Sequence, residues 1–153
     1  MALWFECKVH YERMTEKGAV KKVNEPYLVD ALTFTEAEAR IIDKITPYIS
    51  GDFTISAVKK TRISEIFFDD RGDRYYMVKV NFISYDEKSG TEKKSANFML
   101  VQASDFADAL KKFEEGMKGT MNDFEIASIT ETPIMDVFPF QLGVMKAGET
   151  KEE

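Results

Sequence analysis

The chain has 153 residues, of which 44% are hydrophobic and 31% charged, and its net charge at pH 7 is −6. This composition is typical of a globular protein, and no apolar run approaches the roughly 18 residues of a membrane-spanning helix. A single cysteine, Cys7, excludes an intrachain disulfide and a multi-cysteine metal site. The N-terminal residues lack a basic segment followed by an apolar one, which favours a cytoplasmic protein without a signal peptide.

The acidic charge is concentrated near the C-terminal end. Residues 121–153 contain two basic and seven acidic residues, so this segment carries −5 and residues 1–120 carry only −1. The nearly neutral part also contains four lysine doublets, at Lys21-Lys22, Lys59-Lys60, Lys93-Lys94 and Lys111-Lys112. A basic surface is therefore compatible with the low overall pI.

The first half of the chain predicts two strands, a helix and a third strand. Apolar and polar residues alternate with a period of two over about 3–14 and 20–31, on either side of a polar turn ending at Gly18. Thr33 and Glu36 have the spacing of a helix-capping box, and an apolar stripe follows. That stripe consists of Ala37, Ile41, Ile45 and Ile49. Residues 53–69 predict a long closing strand.

The second half of the chain predicts the same order of elements. Strands are expected over 74–86 and 91–103, and a third strand over 123–138. Ser104-Asp105 supplies a helix cap between them. The following helical stripe, expected to be buried, consists of Phe106, Ala109, Leu110, Phe113 and Met117.

The two halves align at an offset of 71 residues. Six of sixteen positions are identical between residues 52–67 and 123–138, which predicts an internal duplication with repeats over about 3–69 and 74–138. The predicted fold class is α+β, with order ββαβ–ββαβ and two helices packed on one face of a mainly antiparallel sheet. Both repeats form one domain over residues 1–140, and residues 141–153 are expected to be a flexible acidic tail.

Four segments carry a resemblance to a known family. They are Trp4-x-x-x-Lys8-x-x-Tyr11, Tyr27-Leu28-Val29-Asp30-Ala31, Thr35-Glu36-Ala37-Glu38-Ala39-Arg40 and Lys60-x-x-Ile63-x-Glu65-Ile66. Up to about Phe138 the chain resembles a domain-of-unknown-function family of Bacteroidetes bacteria and of their phages and mobile elements. The resemblance transfers no activity, cofactor or catalytic residue. It implies a small cytoplasmic protein, often encoded beside genes that process DNA.

No recognised catalytic pattern occurs in the sequence. His10 is the only histidine, and there is no Gly-x-Ser-x-Gly elbow, phosphate-binding loop or dinucleotide-binding glycine pattern. His10 is expected to be a partly exposed polar strand residue, and Cys7 a small core residue. We therefore predict a non-enzymatic protein without catalytic residues, metal or cofactor.

Two acidic segments contain carboxylates that could bind a metal ion. Residues 68–74 contain three aspartates near Gly72, but their spacing does not match a calcium loop, and a polar turn is the preferred interpretation. Glu92 and Lys94, with Asp86 upstream, leave a metal-dependent nuclease as an alternative. That alternative requires the acids to converge on one metal ion.

A lysine occupies the middle of the first strand in both halves. Lys8 and Lys79 are equivalent at the 71-residue offset, as are Glu65 and Asp136 in the closing strands. Lysine is disfavoured in a strand centre unless it is solvated or paired. One interpretation is a repeated cross-strand ion pair between each lysine and the matching acid.

The other interpretation is a binding surface for single-stranded DNA or RNA. Alternation places Trp4 with Lys8, and Tyr75 with Lys79, on the sheet face that points away from the core. Aromatic rings stack bases and lysines contact phosphates in such proteins, and Lys93-Lys94 would add phosphate contacts. The alternative is that Trp4 and Tyr75 pack within the protein or form a homodimer interface.

Overall fold

The computed structural model describes residues 3–140, which form two compact units. Unit 1 contains residues 3–61 and 133–140, and unit 2 contains residues 62–132. Each unit has a four-stranded sheet and one α-helix, so the predicted α+β class is confirmed. Within residues 3–140 no helix is long and apolar enough to cross a membrane. The predicted acidic tail, 141–153, lies outside the described residues.

The elements follow one another in the order expected from the sequence, with two additional short strands. They are β1 (Leu3–Met14), β2 (Val20–Ala31), α1 (Phe34–Ile45), a 3-10 turn (Thr46–Tyr48), β3 (Phe53–Lys60), β4 (Ile63–Phe67), β5 (Arg74–Tyr85), β6 (Glu92–Ala103), α2 (Phe106–Gly116), β7 (Asp123–Glu131) and β8 (Asp136–Phe138).

Unit 1 has the strand order β3-β1-β2-β8, in which β8 is parallel to β2 and the other neighbours are antiparallel. The helix α1 packs its apolar stripe on one face of this sheet. The core consists of Phe5, Cys7, Val9, Val29, Ala31, Ala37, Ile41 and Ile45. The side chain of Thr33 caps α1 by accepting a hydrogen bond from the backbone N–H of Glu36 at 3.1 Å.

Unit 2 has the strand order β4-β6-β5-β7, in which β4 is parallel to β6. Its helix α2 covers one face of the sheet. The core consists of Tyr76, Val78, Val80, Met99, Val101, Ala103, Ala109, Phe113 and Met117. Asp105 caps α2 by accepting from the N–H of Asp108 at 2.8 Å.

The closing strand predicted in each half is divided into two strands. Thr61 donates its backbone N–H to the carbonyl oxygen of Trp4, which ends the pairing of β3 with β1, and β4 then pairs with β6 in unit 2. Thr132 makes the equivalent bond to Tyr75, and β8 pairs with β2 in unit 1. The structure therefore has two sheets where the sequence predicted one.

Residues 133–140 complete unit 1 after the chain has formed unit 2. The N–H of Met135 donates to the carbonyl oxygen of Pro26 at 2.8 Å. The N–H of Phe140 donates to the buried carboxylate of Asp30 at 2.6 Å, and the Arg40 guanidinium lies 4.8 Å from the Phe140 ring centroid. These bonds attach β8 and its flanks to β2 and α1.

The offset between equivalent positions is not constant along the chain. The second hairpin turn is one residue longer than the first. The backbone N–H of Thr15 donates to the carbonyl oxygen of Ala19 across the first turn, and the N–H of Asp86 donates to that of Thr91 across the second. The buried equivalent of Phe113 is therefore Ile41, 72 residues earlier, whereas Ile42 is 41% exposed. A common origin of the two halves stays a prediction.

The predicted stripe of α2 is correct only in part. Phe113 is fully buried and Ala109 and Met117 are buried with it, but Phe106 is 56% exposed and Leu110 is half-buried. Phe106 is the first residue of α2, where the chain enters the helix. The expected burial of Phe106 was therefore wrong.

Candidate nucleic-acid interface

The candidate site is the face of each sheet that lies opposite the helix, here called the outward face. Side chains alternate along a strand, so the residues between the core positions of β1 and β5 belong to it. On β1 these are Trp4, Glu6, Lys8 and His10, and on β5 they are Tyr75, Met77, Lys79 and Asn81. Because Lys8 and Lys79 occupy matching positions, the two outward faces can be compared residue by residue.

One end of each outward face is buried. Trp4 is 8% exposed and Tyr75 is 2% exposed. They lie opposite Asp30 and Gln102, respectively, both of which are also buried. Both rings pack within the protein, as the alternative interpretation proposed. The prediction that they stack bases is therefore corrected, because neither ring offers an exposed face to a base.

The other end of each outward face is open and carries the predicted lysine. Lys8 is exposed and lies between Pro26 of β2 and Ala57 of β3. Lys79 is exposed and lies between Phe98 of β6 and Ser128 of β7. The residues paired with each lysine on the two adjacent strands are therefore uncharged.

The lysines do not form the ion pairs that the sequence suggested. Within residues 3–140 neither Lys8 nor Lys79 is within ion-pairing distance of a carboxylate. Glu65 belongs to β4 of unit 2, and Asp136 belongs to β8 of unit 1, because each closing strand is divided. Both ammonium groups are available to an anionic ligand.

Lys93 and Lys94 are exposed, but their charges are compensated. Alternation places them on opposite faces of β6. The Lys93 ammonium lies 3.8 Å from the carboxylate of Asp86, and that of Lys94 lies 2.8 Å from Glu125. The hydrogen bond to Glu125 raises the pKa of Lys94. Unlike Lys79, both lysines of this doublet therefore have a carboxylate partner.

A concavity of about 700 Å³ surrounds Lys8 in unit 1. Its polar lining consists of Glu6, Lys8, His10, Asn24, Thr54 and Ser56. The imidazole Nδ1 of His10 is 3.0 Å from the side-chain oxygen of Asn24, which fixes the orientation of the ring. The Lys8 ammonium and the Thr54 hydroxyl can donate hydrogen bonds to an anion here, whereas the Ser56 hydroxyl donates to the Lys8 carbonyl oxygen at 3.3 Å.

Unit 2 has two further groups on the same face as Lys79. The guanidinium of Arg62 lies 4.6 Å from the centroid of the Phe98 ring, directly across the strands from Lys79. Tyr85 is 67% exposed and shares the parity of Lys79 on β5. Alternation in the sequence would have found Tyr85, but Arg62 was missed because a continuous strand was expected there.

The alternative metal site is not assembled. Asp86 accepts a hydrogen bond from the backbone N–H of Lys88 at 3.0 Å and so stabilises the hairpin turn. Lys94 binds Glu125 rather than pointing toward Glu92 or Asp86. Among the described residues, no three His, Cys, Asp or Glu side chains are grouped as metal ligands.

The acidic turn after β4 serves a structural role. The side chain of Gln102 accepts from the N–H of Asp69 at 3.1 Å and donates to the carbonyl oxygen of Gly72 at 3.0 Å. Hydrogen bonds from Arg71, and then from Lys112, lower the pKa of Asp69 well below its usual range. The carboxylate of Asp69, the aspartate nearest to β4, is therefore already bound by neighbouring side chains.

The cysteine has the environment of a core residue. Cys7 is fully buried between Phe5 and Val9 on the inner face of β1. Burial, and then the charges of Glu38 and Glu6, raise its pKa to about 12. The thiol therefore stays protonated at neutral pH, and the prediction that Cys7 is a core residue is confirmed.

Comparison with known proteins identifies the chain only at the level of the family. Neither the curated proteins nor the solved structures give a match. The family match extends over residues 3–140 and so includes both units and both outward faces. The chain belongs to the family described as Domain of unknown function (DUF4494).

Proposed function

We propose that this protein is a non-enzymatic accessory protein of phage or mobile-element origin that binds single-stranded nucleic acid through its outward faces. The observation that carries the proposal is the exposed, unpaired lysine at the middle of the central strand in each unit, Lys8 and Lys79. Phosphate groups are the anions that a nucleic acid presents at regular intervals. A cationic residue repeated at matching positions suits such a ligand.

The absence of an ion pair within residues 3–140 makes these lysines suitable for phosphate binding. A lysine already bound to a carboxylate must lose that partner before it can meet a phosphate, as Lys94 would have to leave Glu125. Lys8 and Lys79 have no such competitor among the described side chains. Their contact with phosphate would release counterions from the nucleic acid, which favours binding at low salt.

Tyr85 takes the place of Trp4 and Tyr75 as the aromatic contact. Its ring is exposed on the outward side of β5, six residues from Lys79, which is roughly 20 Å along an extended strand. An exposed ring in line with a cation can stack an unpaired base, whereas bases within a duplex are already stacked. This arrangement supports a preference for single strands.

Fluorescence anisotropy with labelled oligonucleotides tests the proposal. A mixed-sequence single strand should bind more tightly than the matching duplex, and Tyr85→Ala should reduce that affinity by roughly tenfold. Tyr48→Ala is the matched control, because Tyr48 is 77% exposed but lies in the 3-10 turn after α1. No binding of either oligonucleotide at low salt would reject the proposal in favour of a protein-interaction or homodimer-forming module.

A further inference from the structure

The outward face of unit 2 contains a transverse row of side chains across three adjacent strands. Ile63 of β4 pairs with Phe98 of β6, and Phe98 pairs with Lys79 of β5. Arg62 immediately precedes Ile63 and places its guanidinium over the Phe98 ring, 4.6 Å from the centroid. The Phe98 ring therefore stands between two cations, Arg62 and Lys79.

The contact with Phe98 orients Arg62 without satisfying its hydrogen-bond donors. A guanidinium that stacks on a ring keeps its N–H groups at its edge, in the geometry that binds two oxygens of one phosphate. Arg62 is exposed, and within residues 3–140 its side chain forms no ion pair or hydrogen bond. Its donors are therefore directed by the ring and left for a ligand.

On β6 and β7 this face also carries Glu92, opposite Tyr85, and Asp123, opposite Ile83. Of these acidic residues Glu125 is the closest in register to Lys79, and it does not neutralise the pair. Glu125 belongs to the outward face through its position opposite Asn81. It is bound by the Lys94 ammonium at 2.8 Å and by the Asn81 amide at 3.3 Å, and these bonds lower its pKa. With Glu125 compensated by Lys94, Arg62 and Lys79 give this row a net positive charge.

The equivalent row of unit 1 has only one cation. Pro26 lies opposite Lys8, and Pro133, which lines the same concavity, stands where unit 2 has Arg62. Neither proline offers a charge or a side-chain donor. The two units thus differ in their capacity for anions, although their central lysines match.

We infer that Arg62 and Lys79 form a two-cation phosphate site in unit 2, in which Phe98 is the positioning residue for Arg62. Adjacent strands are about 4.8 Å apart, so the two strands that flank β6 are roughly 10 Å apart. The long side chains of Arg62 and Lys79 can span that distance and reach one phosphodiester group. Arg62 would bind two of its oxygens and Lys79 would add a point charge. This inference rests on the proposed function and assigns the stronger of its phosphate contacts to unit 2.

Binding of a labelled single-stranded oligonucleotide to the full chain tests the site. Arg62→Lys keeps the charge but loses the planar fork, and it should weaken binding by about tenfold, because a charge-assisted bidentate contact is lost. Lys79→Ala should weaken binding more than Lys8→Ala does. If the site recognises the phosphate group itself, excess inorganic phosphate should displace the oligonucleotide more effectively from wild type than from Arg62→Lys.

A double-mutant cycle tests the role of Phe98. Phe98→Leu should weaken binding in the wild-type background and have no effect in the Arg62→Ala background, because the ring acts through Arg62. Phe98→Tyr keeps the ring and should bind like wild type. Equal losses from Phe98→Leu in both backgrounds would overturn the positioning role.

The inference and the proposed function fail in different ways. If Lys79→Ala weakens binding but Arg62→Lys and Arg62→Ala do not, the two-cation site is wrong and the proposed function stands. If no variant of Lys79 or Lys8 changes binding, the proposed function fails with it. Thermal unfolding of each variant verifies that the substitution leaves the fold intact.

Discussion

Thr61 donates two hydrogen bonds to a single acceptor, the carbonyl oxygen of Trp4. Its backbone N–H and its hydroxyl lie 2.9 and 2.8 Å from that oxygen, and Thr132 makes the same two bonds to Tyr75 at the same distances. Each threonine marks the residue at which the chain leaves one sheet for the other. Thr61 and Thr132 therefore end the strands that the sequence predicted to continue.

Thr61→Val should lower the free energy of unfolding by about 0.5–1.5 kcal/mol, since it removes the hydroxyl donor and keeps the branched shape. Thr61→Ser retains the donor and is the matched control. Urea unfolding of the three proteins measures the difference. Equal stability of Thr61→Val and wild type would show that the backbone bond alone ends the strand.

Phe113→Ala should lower the free energy of unfolding by about 3–5 kcal/mol, because the ring is fully buried against Phe67 and Phe124. Ile42→Ala should have a much smaller effect, because Ile42 is 41% exposed. The difference between the two losses of stability tests which positions of the helices face the core more sharply than either variant does alone. A near-neutral Phe113→Ala would mean that α2 does not pack as described.

Gly72→Ala should destabilise the protein by about 1–3 kcal/mol, because the added methyl group has no room. A Cβ atom at Gly72 would lie 2.6 Å from the backbone of Ala103. Asp73→Ala, at the next and exposed position of the same turn, should be nearly neutral. Thermal unfolding of both variants makes the comparison, and tolerance of alanine at Gly72 would contradict the close approach of turn and strand.

Lys112 should stabilise the folded state in a pH-dependent manner. Its ammonium lies 2.8 Å from Asp108 and 3.0 Å from Asp69. The hydrogen bond from Lys112 is the largest cause that lowers the pKa of Asp108, and Arg71 and then Lys112 lower that of Asp69. Stabilisation by a carboxylate with a lowered pKa is complete above about pH 4, the pKa of an unfolded aspartate, and is lost as the pH falls further.

The expected result is a stability deficit of Lys112→Met that is present at neutral pH and shrinks as the pH falls below about 4. Lys111→Met, which removes the neighbouring exposed charge, is the control and should show little deficit at any pH. Denaturant unfolding across this pH range gives the measurement. A Lys112→Met deficit that is independent of pH would show that packing, not charge, is the contribution of this residue.

The sequence predicts the local elements well because their signals are local. Period-two alternation identified β1, β2, β5 and β6 almost to the residue, and the caps at Thr33 and Asp105 located both helix starts. The division of the closing strands was not predicted, because it depends on hydrogen bonds between residues 57 positions apart, Thr61 with Trp4 and Thr132 with Tyr75. Such pairings leave no periodic signal.

The candidate site was predicted only in part, for a related reason. Alternation correctly assigned Lys8 and Lys79 to an open face, but it cannot tell which end of that face is covered, and so it misassigned Trp4 and Tyr75. Arg62 joins the face only because β4 pairs with β6. Its contact with Phe98 could not be inferred from the spacing of the two residues in the chain.

The central claim is that Lys8 and Lys79 contact phosphate groups, and the salt dependence of binding tests it most directly. For a single-stranded oligonucleotide, log Kd is measured against log salt concentration for wild type, for the Lys8→Ala/Lys79→Ala double variant and for Lys118→Ala, an exposed lysine after α2. The double variant should bind more weakly, with a slope smaller by about 1.4, or about 0.7 per lost contact, and Lys118→Ala should match wild type. A double variant with the wild-type slope and affinity would contradict the claim.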